Sequence, residues 1–219
     1  MTSKLRFARQ TARHTALLTI LCAALLSTAC APLLIGGAML GGSLVATDRR
    51  TSGTQLEDEG IELKAAARVR DQLGDRVHVN INSYNRLALI TGEAKTEADR
   101  AALTVIVSGV ENVSHVLNET AVTMPSSLAG RSNDVLIATK VKASLVEARD
   151  LLSNAFYIVV ERGEVFIMGR VSEREAKRAS DIARGISGVK KVVRAVDVIS
   201  EDELARLTPS QVPVQAPAR

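Results

Sequence analysis

Tryptophan is absent from this 219-residue chain, and the aromatic complement is two tyrosines and three phenylalanines. A core must therefore be built from Val, Ile, Leu and Ala. Past residue 29 the aromatics are Tyr84, Phe156, Tyr157 and Phe166, too few for the stacking platform that single-stranded nucleic acid needs. The two cysteines, Cys22 and Cys30, both lie near the start, so nothing beyond residue 30 forms a disulfide or a thiolate metal site. Histidine is equally scarce past the first segment: His78 alternates out of a strand and His115 follows a Gly-Val turn. There is no HExxH, CxxC, GxSxG or phosphate-binding glycine loop. The acidic residues sit beside Lys and Arg on helix faces, as solvated surfaces do. The expectation is a protein that is not an enzyme and carries no cofactor.

Acidic residues are missing from residues 1–29, which hold Lys4, Arg6, Arg9 and Arg13. From residue 30 onward 24 basic residues balance 24 acidic ones, so the formal charge of +4 belongs to the N-terminus and gives no argument for nucleic acid. A basic start, the apolar run ALLTILCAALL and the small residues Ser27-Thr28-Ala29 have the form of a secretory signal. Cys30 directly after them resembles a bacterial lipobox, with Ser27 where a large aliphatic residue is usual and Leu26 one place early. That resemblance makes Cys30 the lipidation site, and Ala31 rather than Asp points to the outer membrane, facing the periplasm. Two readings stay open beside it: plain cleavage without lipid, and an uncleaved anchor, since no charge interrupts Thr15 to Ala46. The reading divides the chain into a signal peptide (1–29), a lipidated, glycine-rich leader (30–54), two domains (55–124 and 131–200) joined by a linker (125–130), and a disordered tail (201–219) with PSQVPVQAPAR.

The two domains are copies of one unit. Asp58, Ile61 and Lys64 match Asp134, Ile137 and Lys140; Gly92 matches Gly169; Gly109-Val110 matches Gly188-Val189. In the second copy Ser132-Asn133-Asp134 supplies N-cap chemistry, and Ile137, Val141, Leu145 and Ala148 recur at helical spacing. Two β-rich runs flank a hairpin at Glu161-Arg162-Gly163-Glu164. Ser172 with Glu175 forms a capping box. Ala179, Ile182, Ala183 and Ile186 line a second helix, and Val189–Ile199 closes the unit as a strand. The fold class is α+β: two tandem αββαβ units, each a small three-stranded mixed sheet covered by two helices. In the first copy Val77, Val79 and Ile81 alternate with His78, Asn80 and Asn82, which reads as a sheet with one buried and one wet face.

This order, with GEVFIMGRV, the SEREAKRA helix start and the SGVKKV turn, resembles the BON domain, twice over residues 55–199. With a lipobox in front, the chain looks like a dual-BON outer-membrane lipoprotein. Arg86 stands at the family's hairpin glycine and Ala88 at the following Val, so the first hairpin is expected to be irregular. The resemblance implies phospholipid binding, and the second copy suits it better. Residues 57–124 carry 7 basic and 11 acidic residues, and residues 131–199 carry 13 and 9. Opposite charge fits either docking of the copies on each other or a basic copy facing an anionic leaflet. The candidate contact is a stripe of Leu136, Lys140 and Ala143 with Arg131 and Lys142 nearby: an apolar side chain entering the headgroup zone while amines stay with phosphate. The implied partner is anionic phospholipid, phosphatidylglycerol or cardiolipin. Three alternatives remain: Leu136 packed against the first copy, a protein adaptor docking on an envelope assembly, and a purely structural lipoprotein with no specific ligand. Charges at Arg174, Lys177 and Arg178 read as a solvated helix face, and Lys190, Lys191 and Arg194 as a weaker basic patch.

Overall fold

A computed structural model describes residues 48–207. Cys30, the signal, the leader up to residue 47 and the tail from residue 208 lie outside the described residues. The first unit runs α1 (Ser52–Leu73), β1 (Val77–Tyr84), β2 (Leu87–Ala94), α2 (Glu97–Ser108), β3 (His115–Asn118) and β4 (Ala121–Val122). The second runs α3 (Leu128–Glu147), β5 (Phe156–Glu161), β6 (Glu164–Ser172), α4 (Glu173–Arg184) and β7 (Lys191–Ile199), followed by α5 (Glu201–Leu207). In each unit a hairpin pairs antiparallel and the last strand returns parallel to the hairpin's second strand. That last strand is continuous as β7. In the first unit it is broken at Glu119-Thr120 and resumes in register as β4.

Both helices of each unit cover one face of its sheet. Ile137, Val141 and Leu145 from α3 meet Val165, Ile167 and Val171 from β6 and Ala176, Ala179 and Ala183 from α4. The first unit repeats this with Ile61, Ala65, Val69, Ala88, Ile90, Leu103 and Val107. The expected helix faces and capping box are therefore present: Ser172 Oγ accepts from the Glu175 N–H, and Glu175 accepts from the Ser172 N–H.

The other sheet faces pack on each other over part of their area. Tyr84 and Leu89 of the first sheet close on Phe166, Met168 and Ala195 of the second, with Leu87, Leu117, Val159 and Val193 around them. The wet face read from His78, Asn80 and Asn82 is thus partly a sheet-to-sheet interface, in which Asn82 donates to Tyr157 Oη at 3.1 Å and Asn80 to Glu161 at 3.4 Å. The result is four layers, helices outside and two sheets inside. The opposite charges of the units take part in the docking: Lys191 reaches Glu119 at 3.0 Å and Arg162 lies 3.7 Å from Glu93.

Four local expectations need correction. First, the first hairpin is regular. Asn85 and Arg86 both have positive φ, 50° and 67°, as Arg162 and Gly163 do at 57° and 78°, the two-residue turn that matches strand twist. Arg86 tolerates this conformation because buried Asp58 accepts both turn amides at 2.8 Å. Second, α3 starts at Leu128 with Ser127 as N-cap, inside the expected linker. Asp134 is no cap but a buried carboxylate, accepting from the amides of Arg162 and Gly163 at 2.8 Å each. Third, α1 begins at Ser52, capped by Thr51, ahead of the expected domain start at residue 55. Fourth, residues 201–207 are helical rather than disordered. Leu204 is buried, Glu201 pairs with Arg174, and Glu203 pairs with Arg170.

Candidate membrane-contact surface

The sheet-to-sheet packing leaves the helix layers as the outer faces, and α3 is the outer element of the second unit that carries the candidate residues. Its inward ridge is Asp134, Ile137, Val141 and Leu145. At 100° per residue, Leu136, Lys140 and Ala143 share one flank, and all three are exposed. Leu136 is 59 % exposed, so it does not pack against the first unit. Arg131 and Lys142 sit on the other flank of the helix. Arg131 faces the cleft between the units, about 220 Å³ in volume, together with His78, Asn80 and Glu161. The structure therefore does not bring the five candidates into one patch.

Three apolar residues that were not read as candidates join the surface. Leu128, Val135 and Val146 are 82, 65 and 69 % exposed and fall on one ridge, beside Lys142; Val135 also borders the cleft that Arg131 lines. The signal was available in the sequence. Apolar residues spread around α3 instead of keeping to one side, so its outer face is far more apolar than a solvated helix requires.

Charge distinguishes α3 from α4 and β7. On α4, Arg174 pairs with Glu201, Lys177 and Arg184 with Asp181, and Arg178 with Asp150. On β7, Lys191 lies between Glu119 and Glu164, and Arg194 meets Glu173. Those cations are already neutralised, as a solvated face would be. Lys140 and Lys142 make no ion pair among the described residues, so their ammonium groups are open to phosphate.

Carboxylates mark the cleft instead. Glu93 is buried; the Ser126 amide donates to it at 3.0 Å, the Ser126 hydroxyl also bonds it, and His78 Nδ1 lies 3.4 Å away. Burial, then the nearby Glu93 and Asp134, hold Glu161 above the usual carboxylate range. His115 is exposed beside Ser114. No group of residues suited to hold a metal ion occurs among the described residues, and no described helix is long and apolar enough to cross a membrane.

The BON domain model matches residues 62–124 and 133–200, and the chain belongs to the BON-domain family. It is 36 % identical over 167 residues to Outer membrane lipoprotein DolP of Haemophilus influenzae, covering 75 % of this chain and 86 % of that protein. It is 29 % identical over 154 residues to the 21 kDa hemolysin of Actinobacillus pleuropneumoniae, covering 69 % and 79 % respectively. Neither relative is named as an enzyme. Among solved structures, CdsD, a structural protein of the type III secretion system of Chlamydia trachomatis, aligns at 15 % identity over 74 % of this chain and 70 % of its own. Its TM-score is 0.27, too distant to inform fold or function.

Proposed function

We propose that this protein is an outer-membrane lipoprotein, tethered through Cys30 and facing the periplasm, whose second BON domain binds anionic phospholipid through the outer face of α3 and supports envelope integrity. The observation that carries the lipid reading is the coincidence on α3 of exposed aliphatic side chains (Leu128, Val135, Leu136, Val146) with Lys140 and Lys142, whose amines have no carboxylate to neutralise them. Amines near an anionic leaflet contribute about 1 kcal/mol each, and shallowly inserted aliphatics add to that. Relatedness to a named outer-membrane lipoprotein and the lipobox-like LSTAC support the location and the tether.

The test uses the soluble piece from residue 47 onward, ¹⁵N-labelled, titrated with phosphatidylglycerol micelles and with zwitterionic micelles. Shifts centred on α3 with the anionic lipid alone are expected. Leu136→Glu and Val135→Glu should abolish them while the remaining spectrum stays in place, since both side chains are exposed. Unchanged binding in both variants would overturn this surface.

A second reading has its own observation. On α1, Leu56 and Leu63 are 71 and 74 % exposed and lie on one ridge of the opposite outer layer, which a membrane docked on α3 cannot reach. This supports an adaptor role, with an envelope protein bound to the first unit. Crosslinks to one protein from α1, lost in Leu63→Glu and independent of lipid, would favour it.

A further inference from the structure

The leading edge of the described chain is built into the junction of the two units. Arg49 inserts its guanidinium into the second unit, where Nη1 and Nη2 meet the two carboxylate oxygens of Glu175 at 2.8 and 2.9 Å. Nη1 also donates to the Arg170 carbonyl at 3.0 Å. Both side chains are almost wholly buried, 4 and 5 % exposed. The next residue turns the other way. Arg50 donates to Asp58 of the first unit at 2.9 Å and to Asp48 at 2.8 Å, and its guanidinium lies 4.1 Å above the ring of Tyr84. Tyr84 is itself part of the core shared by the two sheets.

Each end of this segment lands on a residue with a prior structural task. Glu175 closes the capping box of α4, and Asp58 holds the turn of the first hairpin. A buried guanidinium persists only when paired and hydrogen-bonded, and the planar fork of Arg matches a carboxylate in a way that Lys does not. Burial pushes the Glu175 carboxyl up, and the bonds from Arg49 and from the Ser172 amide outweigh it, leaving it below the usual carboxylate range.

We infer that Asp48-Arg49-Arg50 is a two-headed clasp: it joins the chain that comes from the N-terminal side to both BON domains at once and fixes their relative orientation. Arg49 and Arg50 act as positioning residues. The segment 48–50 is thereby locked to both domains, so a displacement of it acts on the pair as one body.

Spin labels on A101C and S187C, both exposed sites in different units, test this in the full chain with native cysteines blocked or replaced. Electron–electron distance measurement should give one narrow distribution in the parent protein. Arg49→Ala should broaden it at least twofold while far-ultraviolet circular dichroism is retained. Because Arg49→Ala strands a buried carboxylate, R49A/E175Q is the second variant: Gln keeps the capping box, removes the unpaired charge, and still lacks the clasp. It should show the same broadening. R49K, which lacks the planar fork, should restore the narrow distribution only in part. A distribution in R49A/E175Q as narrow as the parent's would overturn the clasp.

Discussion

Replacing Asp134 tests whether one buried carboxylate in each unit holds its hairpin to its first helix. Asp134 accepts two turn amides at 2.8 Å. The Gly163 amide is buried, and losing a charged acceptor for a buried donor costs about 1.5–3 kcal/mol. Arg162 is exposed, so its amide can turn to water at about 0.5–1 kcal/mol. Asp134→Ala should therefore destabilise by about 2–4 kcal/mol, a large share of a typical domain's stability. Asp134→Asn keeps one acceptor oxygen and should cost roughly half as much. Asp58→Ala should cost more than Asp134→Ala, because Asp58 also accepts from Ser83 Oγ at 2.7 Å and pairs with Arg50. Urea unfolding at constant m gives the differences from the midpoints. Hydrogen exchange adds a local readout, since the Gly163 amide should lose protection in Asp134→Ala beyond the global change. A loss below about 1 kcal/mol in Asp134→Ala, with Gly163 still protected, would refute the clamp.

Other expectations follow from single positions. A Cβ at Gly92 would strike the His78 carbonyl oxygen and one at Gly169 the Ala155 carbonyl oxygen, so Gly92→Ala and Gly169→Ala should each cost several kcal/mol, on the order of the severe end of point mutations, in thermal unfolding. Glu161 titrates above the usual carboxylate range because of burial and then Glu93 and Asp134; its charged form lowers stability at neutral pH, and that penalty is relieved as pH falls through its raised pKa. Glu161→Gln should accordingly raise the urea midpoint at pH 7.5 and lose that advantage near pH 4. Glu175 has the opposite sign: its depressed pKa contributes stability above the ordinary carboxylate range, lost as pH falls through the folded value, and Glu175→Gln should flatten the acid limb of the stability profile.

What the sequence disclosed was local. Helix spacing in Ile137, Val141 and Leu145 and the Ser172–Glu175 box depend on neighbours three or four residues apart, and both are legible without a structure. What it concealed was nonlocal. Asp134 looks like a helix cap because Asp favours caps; its partners are a turn 28 residues on. Arg49 sits in what reads as leader, 126 residues from Glu175. The sheet-to-sheet core left one trace: VFIM in β6 and LALI in β2 are apolar without alternation, the pattern of strands buried on both faces. Asn80 and Asn82 hid it, because their amides satisfy themselves across the interface on Glu161 and Tyr157. On the candidate surface, Leu136, Lys140 and Ala143 lie on one flank of α3. Arg131 and Lys142 belong to the other side, a matter of helical angle rather than of sequence distance.

The strength of the proposed lipid contact can be bounded from these residues. Lys140 and Lys142 supply about 1 kcal/mol each beside an anionic leaflet. Leu136 and Val135 enter only the headgroup boundary, so each adds about 1 kcal/mol, below the value for full burial. Together that is about 4 kcal/mol, a dissociation constant near 1 mM. Such a face is too weak to recruit a free protein from solution. Behind a covalent anchor the second contact becomes intramolecular, at an effective concentration that short flexible linkers raise to the millimolar range. The face is then about half occupied, and a modest change in leaflet charge moves that occupancy in either direction. An anchored protein with this α3 would sort between membrane zones by their charge, whereas a tighter face would hold it wherever it first landed.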